Sequence, residues 1–229
     1  MLFFLLAGCA SPAETGQVHH GPDDSAVDDS AADDTGQQEC PVGAVRVASF
    51  CIDAWETSVT GDLGNRDQGA AFPDGSTTAT ATALSGVVPT IHITWYQAYA
   101  VCAASGRHLC TVDEWQQACG AAKYPWGDAP AAVDVCAVAN IDGSTTWTDT
   151  QPTGSLPACV SAGGVYDQMG NAWEWADPGA TTGDGLPATA KLGGAWYAGG
   201  ADAECGRDAH DEHPPTFDGT IGFRCCSEP

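Results

Sequence analysis

A chain of 229 residues has room for one domain with extensions and can bury a substantial core, but is short for two full domains. Seven Lys and Arg against thirty Asp and Glu give a net charge of -23, which repels phosphate backbones and anionic headgroups and so excludes nucleic acid as a partner. Eleven cysteines are too many for a reducing compartment and point to export.

The chain opens with a short apolar run, Met1 to Leu6, followed by Leu6-Ala7-Gly8-Cys9. This is similar to a bacterial lipoprotein cleavage box, in which Cys9 becomes the lipidated first residue of the mature protein. The run is too short to cross a bilayer as a helix, so membrane contact is expected through the lipid anchor only. No basic residue precedes the run, a departure from the usual signal pattern, and an ordinary cleaved signal is the alternative. Ala10 follows the cysteine, which leans toward the outer membrane or surface of a bacterial cell envelope. Residues 10–39 hold Asp-Asp pairs at 23–24, 28–29 and 33–34 among Ser, Ala, Thr and Gly. That composition predicts a disordered, self-repelling tether, in which His19-His20 is incidental.

From Cys40 to the end, apolar residues, Gly and Cys continue without another linker, so residues 40–229 read as one domain. Two helices are predicted. In the first, Thr94 and Gln97 form a capping box, Trp95, Ala98, Tyr99 and Cys102 recur on one face, and Gly106 marks the stop. In the second, Thr111 and Glu114 repeat the box, Trp115, Ala118 and Cys119 face inward, and Gly120 ends the helix. Elsewhere 28 Gly and 14 Pro indicate loops with a few short strands, a fold that needs disulfide staples.

From about residue 50 to residue 226, local signatures appear in the order found in the formylglycine-generating enzyme, or sulfatase-modifying factor, family. They are Phe50-Cys51-Ile52-Asp53-Ala54-Trp55-Glu56, then Pro89 to Trp95, then Gly106-Arg107-His108-Leu109-Cys110-Thr111 with Glu114-Trp115. Tyr124-Pro125-Trp126-Gly127, Asn140-Ile141 and Tyr166 to Trp175 (YDQMGNAWEW) follow, and Gly193-Gly194-Ala195-Trp196 with Ile221-Gly222-Phe223-Arg224-Cys225 close the series. The resemblance implies an α+β domain of the C-type lectin-like fold in its formylglycine-generating-enzyme form, low in regular secondary structure and disulfide-stapled. Trp115, Trp126, Trp173, Trp175 and Trp196 are expected to pack core and loops.

The resemblance also implies two disulfides, Cys102 with Cys225 and Cys119 with Cys205. For the other six cysteines many connectivities are open; proximity and order favour Cys40 with Cys51, Cys136 with Cys159 and Cys110 with Cys226. In catalytic members of the family two cysteines just after the Gly-Gly segment bind copper(I) and activate oxygen, for which soft thiolates are suited. Here the first position is Ala198 and no cysteine stands at the second, so copper and cysteine oxidation are not expected. Relatives with a histidine-bound iron draw ligands from a partner domain; His210-Asp211-Glu212-His213 is read as a surface loop. Calcium is the ion implied, with Asn171 and Glu174 as the better matched set and Asn140 with the Ile141 carbonyl, joined by Asp142 or Asp149, as the other. The expected function is a non-catalytic, surface-tethered module presenting loops 142–154, 177–190 and 198–218 to a peptide, glycan or protein. The alternative is a formylglycine-generating oxidase with a divergent site, or another catalyst on the same fold.

Overall fold

The computed structural model describes residues 39–63, 78–129, 135–140, 143–207, 210–211, 213–214, 216 and 218–229, all within the compact unit Gln37–Pro229. Cys9, Ile141 and Asp142, and the tether before residue 39, lie outside the described residues.

Strands β1 (Ala44–Val47) and β2 (Phe50–Asp53) form a hairpin, and β2 continues to β10 (Cys225–Ser227) and β5 (His108–Leu109) in an antiparallel sheet of order β1-β2-β10-β5. All four residues of β2 are buried, as an inner strand covered on both faces must be. A second sheet has the order β8-β7-β6-β9, from His210–Asp211, Ala190–Leu192, Trp173–Ala176 and Ile221–Phe223. Its pair β6 and β9 is parallel. Strands β3 (Thr57–Thr60) and β4 (Thr80–Ala83) make a separate antiparallel ribbon.

Both helices begin at the capping boxes read from sequence. Helix α1 runs Trp95–Ala104 and α2 runs Val112–Cys119, and in each the Thr hydroxyl accepts from the N3 amide while the N3 side chain accepts from the cap amide. Helix α2 is amphipathic as expected, with Trp115, Ala118 and Cys119 buried. Helix α1 departs from the one-faced pattern: Trp95, Tyr96, Gln97, Ala98, Ala100, Val101 and Cys102 are all buried, and Tyr99 is half-buried. Sheets and loops enclose it, so its sequence carries no polar face to define a stripe.

Strand β6 sits between the helices. Alternation along it sends Trp173 and Trp175 into the cluster around α1, while Ala176 joins the cluster around Trp115 of α2. The indole of Trp175 donates to the Ile93 carbonyl at 2.8 Å and that of Trp95 to the Ala176 carbonyl at 3.0 Å, satisfying the polar edges of two buried rings. Trp126 and Trp196 are half-buried at the loops.

Five disulfides join Cys40 to Cys51, Cys102 to Cys225, Cys110 to Cys226, Cys119 to Cys205 and Cys136 to Cys159, the pairs given by resemblance and chain order. Strand alternation explains the adjacent Cys225 and Cys226. Cys225 points toward α1, where Cys102 waits, and Cys226 toward the opposite cluster that contains Cys110. One short strand is thereby stapled on both faces.

Candidate functional site

The motif segments converge on buried charge. Arg224, fully buried, lies between β9 and β10 and directs its Nε at both oxygens of Glu174, at 2.9 and 2.8 Å. Glu174 comes from the centre of β6 and also accepts from the Trp115 indole at 2.7 Å. The remaining guanidinium nitrogens donate to the carbonyls of Asp53 and Tyr166. Asp53, at the end of β2, accepts from Arg107, from the Thr57 hydroxyl at 2.8 Å and from the Cys225 amide at 3.1 Å. Burial pushes the Asp53 and Glu174 carboxyls upward, opposed chiefly by Arg107 for the first and Arg224 for the second.

A third carboxylate shares this interior. Glu56 accepts from the Ala172 amide at 3.0 Å and from the Asn171 side chain. Asn171, in the left-handed region at φ 58, holds residue 151 through a pair of bonds, its Oδ1 accepting from the Gln151 amide at 2.7 Å and its Nδ2 donating to the Gln151 carbonyl at 3.1 Å. Asp167 accepts from the Gly154 amide. Desolvation, with Asp167 and Glu174 adding like charge, holds the Glu56 carboxyl well above the ordinary carboxylate range.

In this arrangement Asn171 and Glu174, the residues read as the better matched calcium set, are bonded within the protein. Both Glu174 oxygens are engaged by Arg224 and Trp115, and the Asn171 amide is spent on Glu56 and Gln151. A divalent cation would have to displace a buried guanidinium, so these residues do not fit the ion as arranged and act as internal locks. Asn140 is exposed, its Nδ2 donating to the Ser144 hydroxyl at 2.9 Å, and its partner Ile141 lies outside the described residues. Asp149 is exposed and accepts from the Thr150 amide at 2.8 Å. Among the described residues, no group of three or more His, Cys, Asp or Glu is placed to hold a metal.

Ala198 is buried, and with Ala203 it brackets Gly194: a Cβ built on that glycine would stand 3.3 Å from one methyl and 3.6 Å from the other. Small apolar groups therefore pack where the resemblance would put a thiolate. All ten cysteines from Cys40 onward are in disulfides. Strand β8 holds His210 and Asp211, Glu212 lies outside the described residues, and His213 is exposed beside Pro214. His213 and Pro214 line a cleft of about 590 Å³ together with the turn Thr182 to Pro187.

Sequence reasoning found Glu174, Asn171 and Arg224 within motifs but missed the Glu174–Arg224 pair and the bonds of Asn171 to Glu56 and Gln151, and it gave no role to Asp53, Glu56, Arg107 and Asp167. A signal existed. Asp53 and Glu56 interrupt the otherwise apolar run from Phe50 to Glu56, and charge inside a buried segment calls for a partner.

Disulfide-stapled sheets around two short helices, with a Glu174–Arg224 centre, define a C-type lectin-like domain of the formylglycine-generating-enzyme type. The chain belongs to the sulfatase-modifying factor enzyme 1-like domain family, whose model matches residues 12–229. Hercynine oxygenase of Mycolicibacterium thermoresistibile is 36% identical over 94 residues, covering 38% of this chain and 20% of that protein. The inactive Cα-formylglycine-generating enzyme 2 of Mus musculus is 31% identical over 157 residues, 61% of this chain and 49% of the other. The chain thus spans a fifth to a half of these relatives. Among solved structures, PvdO from Pseudomonas aeruginosa superposes with a TM-score of 0.53 at 18% identity over 86% of this chain and 88% of that one. CarF gives 0.51 at 18% identity over 79% and 86%. Both share the fold.

Proposed function

We propose that this protein is an exported, lipid-anchored member of the family that has no cysteine-oxidase activity and serves as a binding module on the bacterial cell envelope. One observation carries the reading: the ten cysteines of the domain are consumed by five bridges, and position 198 is a buried methyl. Copper(I) oxidation chemistry of the family type needs a pair of thiolates, and the domain offers none. The likeness to a relative described as inactive supports the same direction. Loops 177–190 and 198–218 supply the walls of the 590 Å³ cleft, a size suited to a ligand group. Cys9 supplies the anchor and the acidic segment to residue 39 the reach. Calcium belongs to this reading only at the Asn140 loop, and a melting temperature unchanged by EDTA would remove it.

The test is disulfide mapping by mass spectrometry on the purified full chain, with copper(I) titration alongside. The expected result is five bridges, no free thiol, the Cys9 sulfur being taken up by the lipid, and no stoichiometric copper(I) bound by the domain. Tight one-to-one copper(I) binding, or conversion of a sulfatase-type cysteine peptide to formylglycine, would overturn the reading in favour of an oxidase.

A further inference from the structure

The cleft between the turn Thr182 to Pro187 and the segment at His213 has a defined chemistry. Its walls are Leu186, Pro187 and Pro214, and its polar groups are Thr182, Asp184 and His213. Among the described lining residues none is Lys or Arg. Asp184 is placed by its own turn: its Oδ1 accepts from the Thr182 hydroxyl and from the Leu186 amide at 3.3 Å, while the Thr182 amide donates to the Leu186 carbonyl at 2.9 Å. The Thr182 hydroxyl and then the Leu186 amide, with His213 nearby, hold the Asp184 carboxyl below the usual carboxylate range. The cleft therefore presents an ionised carboxylate over apolar walls.

Among the described residues, Arg107 is engaged with Asp53, Lys123 with Glu204, Arg207 with Asp202, Arg224 with Glu174, and Lys191 over the Trp173 ring, all away from the cleft. A net charge of -23 raises the local concentration of positively charged ligands around the whole surface.

From this geometry we infer that the cleft receives a Lys or Arg side chain of a partner peptide or protein, its aliphatic stem along Leu186, Pro187 and Pro214 and its cationic head at Asp184. Long cationic side chains carry both halves of that complementarity, an apolar stem and a charged tip. An acidic ligand would meet Asp184 and the field of the whole molecule, and a neutral glycan would gain nothing from that field. The inference rests on the binding-module reading and specifies its ligand class.

The test is titration of the isotope-labelled full chain with short Gly-Ser peptides carrying one central Arg, Lys, Gln or Glu, followed by amide chemical shifts. Shifts confined to the amides of residues 182–186 and 213 are expected with Arg and Lys and absent with Gln and Glu. Asp184→Asn, which keeps the oxygen that holds the turn, should weaken binding about three- to fivefold, the range of an exposed ion pair, and Leu186→Ala several-fold. Asp113→Asn, exposed on α2 outside the cleft, should change binding less than twofold and serves as the control for diffuse attraction. Equal losses for Asp113→Asn and Asp184→Asn, or shifts scattered over the surface, would overturn the inference and leave only a long-range field. Binding of a neutral oligosaccharide with no response to the Arg and Lys peptides would also overturn it while preserving the binding module. Failure of the module itself is read separately, in the copper titration.

Discussion

Arg224 and Glu174 show how single residues set the interior. The pair is fully buried, so its attraction is balanced against a large desolvation cost, and the pair as a whole is weak evidence for stability. Removing one partner is different, because the other is left as an uncompensated buried charge. Glu174→Gln is expected to lower unfolding free energy by about 3–5 kcal/mol, measured by urea denaturation; a loss under about 1 kcal/mol would mean that the Asp53 and Tyr166 carbonyls suffice for Arg224. Gly170 gives a steric counterpart. Its φ is 75° and a Cβ there would run into the Ala137 carbonyl, where the amide of Asn171 already docks at 2.9 Å. Gly170→Ala should therefore destabilise by more than the roughly 1 kcal/mol typical of backbone strain alone, with thermal melting as the check.

At the scale of elements, α2 depends on its first turn. The Thr111 hydroxyl caps the Glu114 amide at 3.2 Å and Glu114 caps the Thr111 amide at 2.8 Å, so Thr111→Ala should cost about 1 kcal/mol. Glu114 also meets His108 of β5 at 3.0 Å, which makes the junction of β5 and α2 sensitive to pH. The hydrogen bond to Glu114 raises the His108 pKa against the effect of burial. Burial pushes Glu114 up, but the bonds from His108 and Thr111 outweigh it and leave that carboxyl below its ordinary range. The His108 contribution is fully present below its unfolded value of about 6.5 and is lost as pH rises through the higher folded value. The Glu114 contribution is present above about 4.3 and is lost as pH falls through the lower folded value. The pair is strongest between the two, and His108→Gln should flatten the alkaline side of the stability profile above about pH 6.5. A decline of unchanged steepness in the variant would show that the histidine does not carry it.

For the whole molecule, short strands and long loops leave the five bridges to restrict the unfolded chain. Cys102–Cys225 and Cys110–Cys226 close loops of 123 and 116 residues, the range in which loop closure contributes about 4–5 kcal/mol in the chain-entropy model. Full reduction is expected to abolish the cooperative thermal transition seen by calorimetry. A reduced protein that still melts cooperatively would place the stability in the hydrophobic clusters instead.

The sequence by itself determined the two capped helices and the motif series that marks the family, and the resemblance carried by that series implied the Cys102–Cys225 and Cys119–Cys205 pairs and an alanine at 198 in place of a thiolate. These are local or ordered signals: a cap depends on residues three apart, and a motif series survives in chain order. Tertiary structure alone decided what the buried polar residues do. Glu174 reads as a calcium ligand beside Asn171 in the same motif, yet its partner is Arg224, fifty residues away, and Asn171 meets Glu56 across 115. The burial of α1 over all but its Tyr99 edge and last turn and the meeting of the turn at Asp184 with His213 have the same origin. Pairings between distant segments are set by how β6, β9 and β10 stack around the helices, and one-dimensional spacing carries no distance between residues brought together only by that packing.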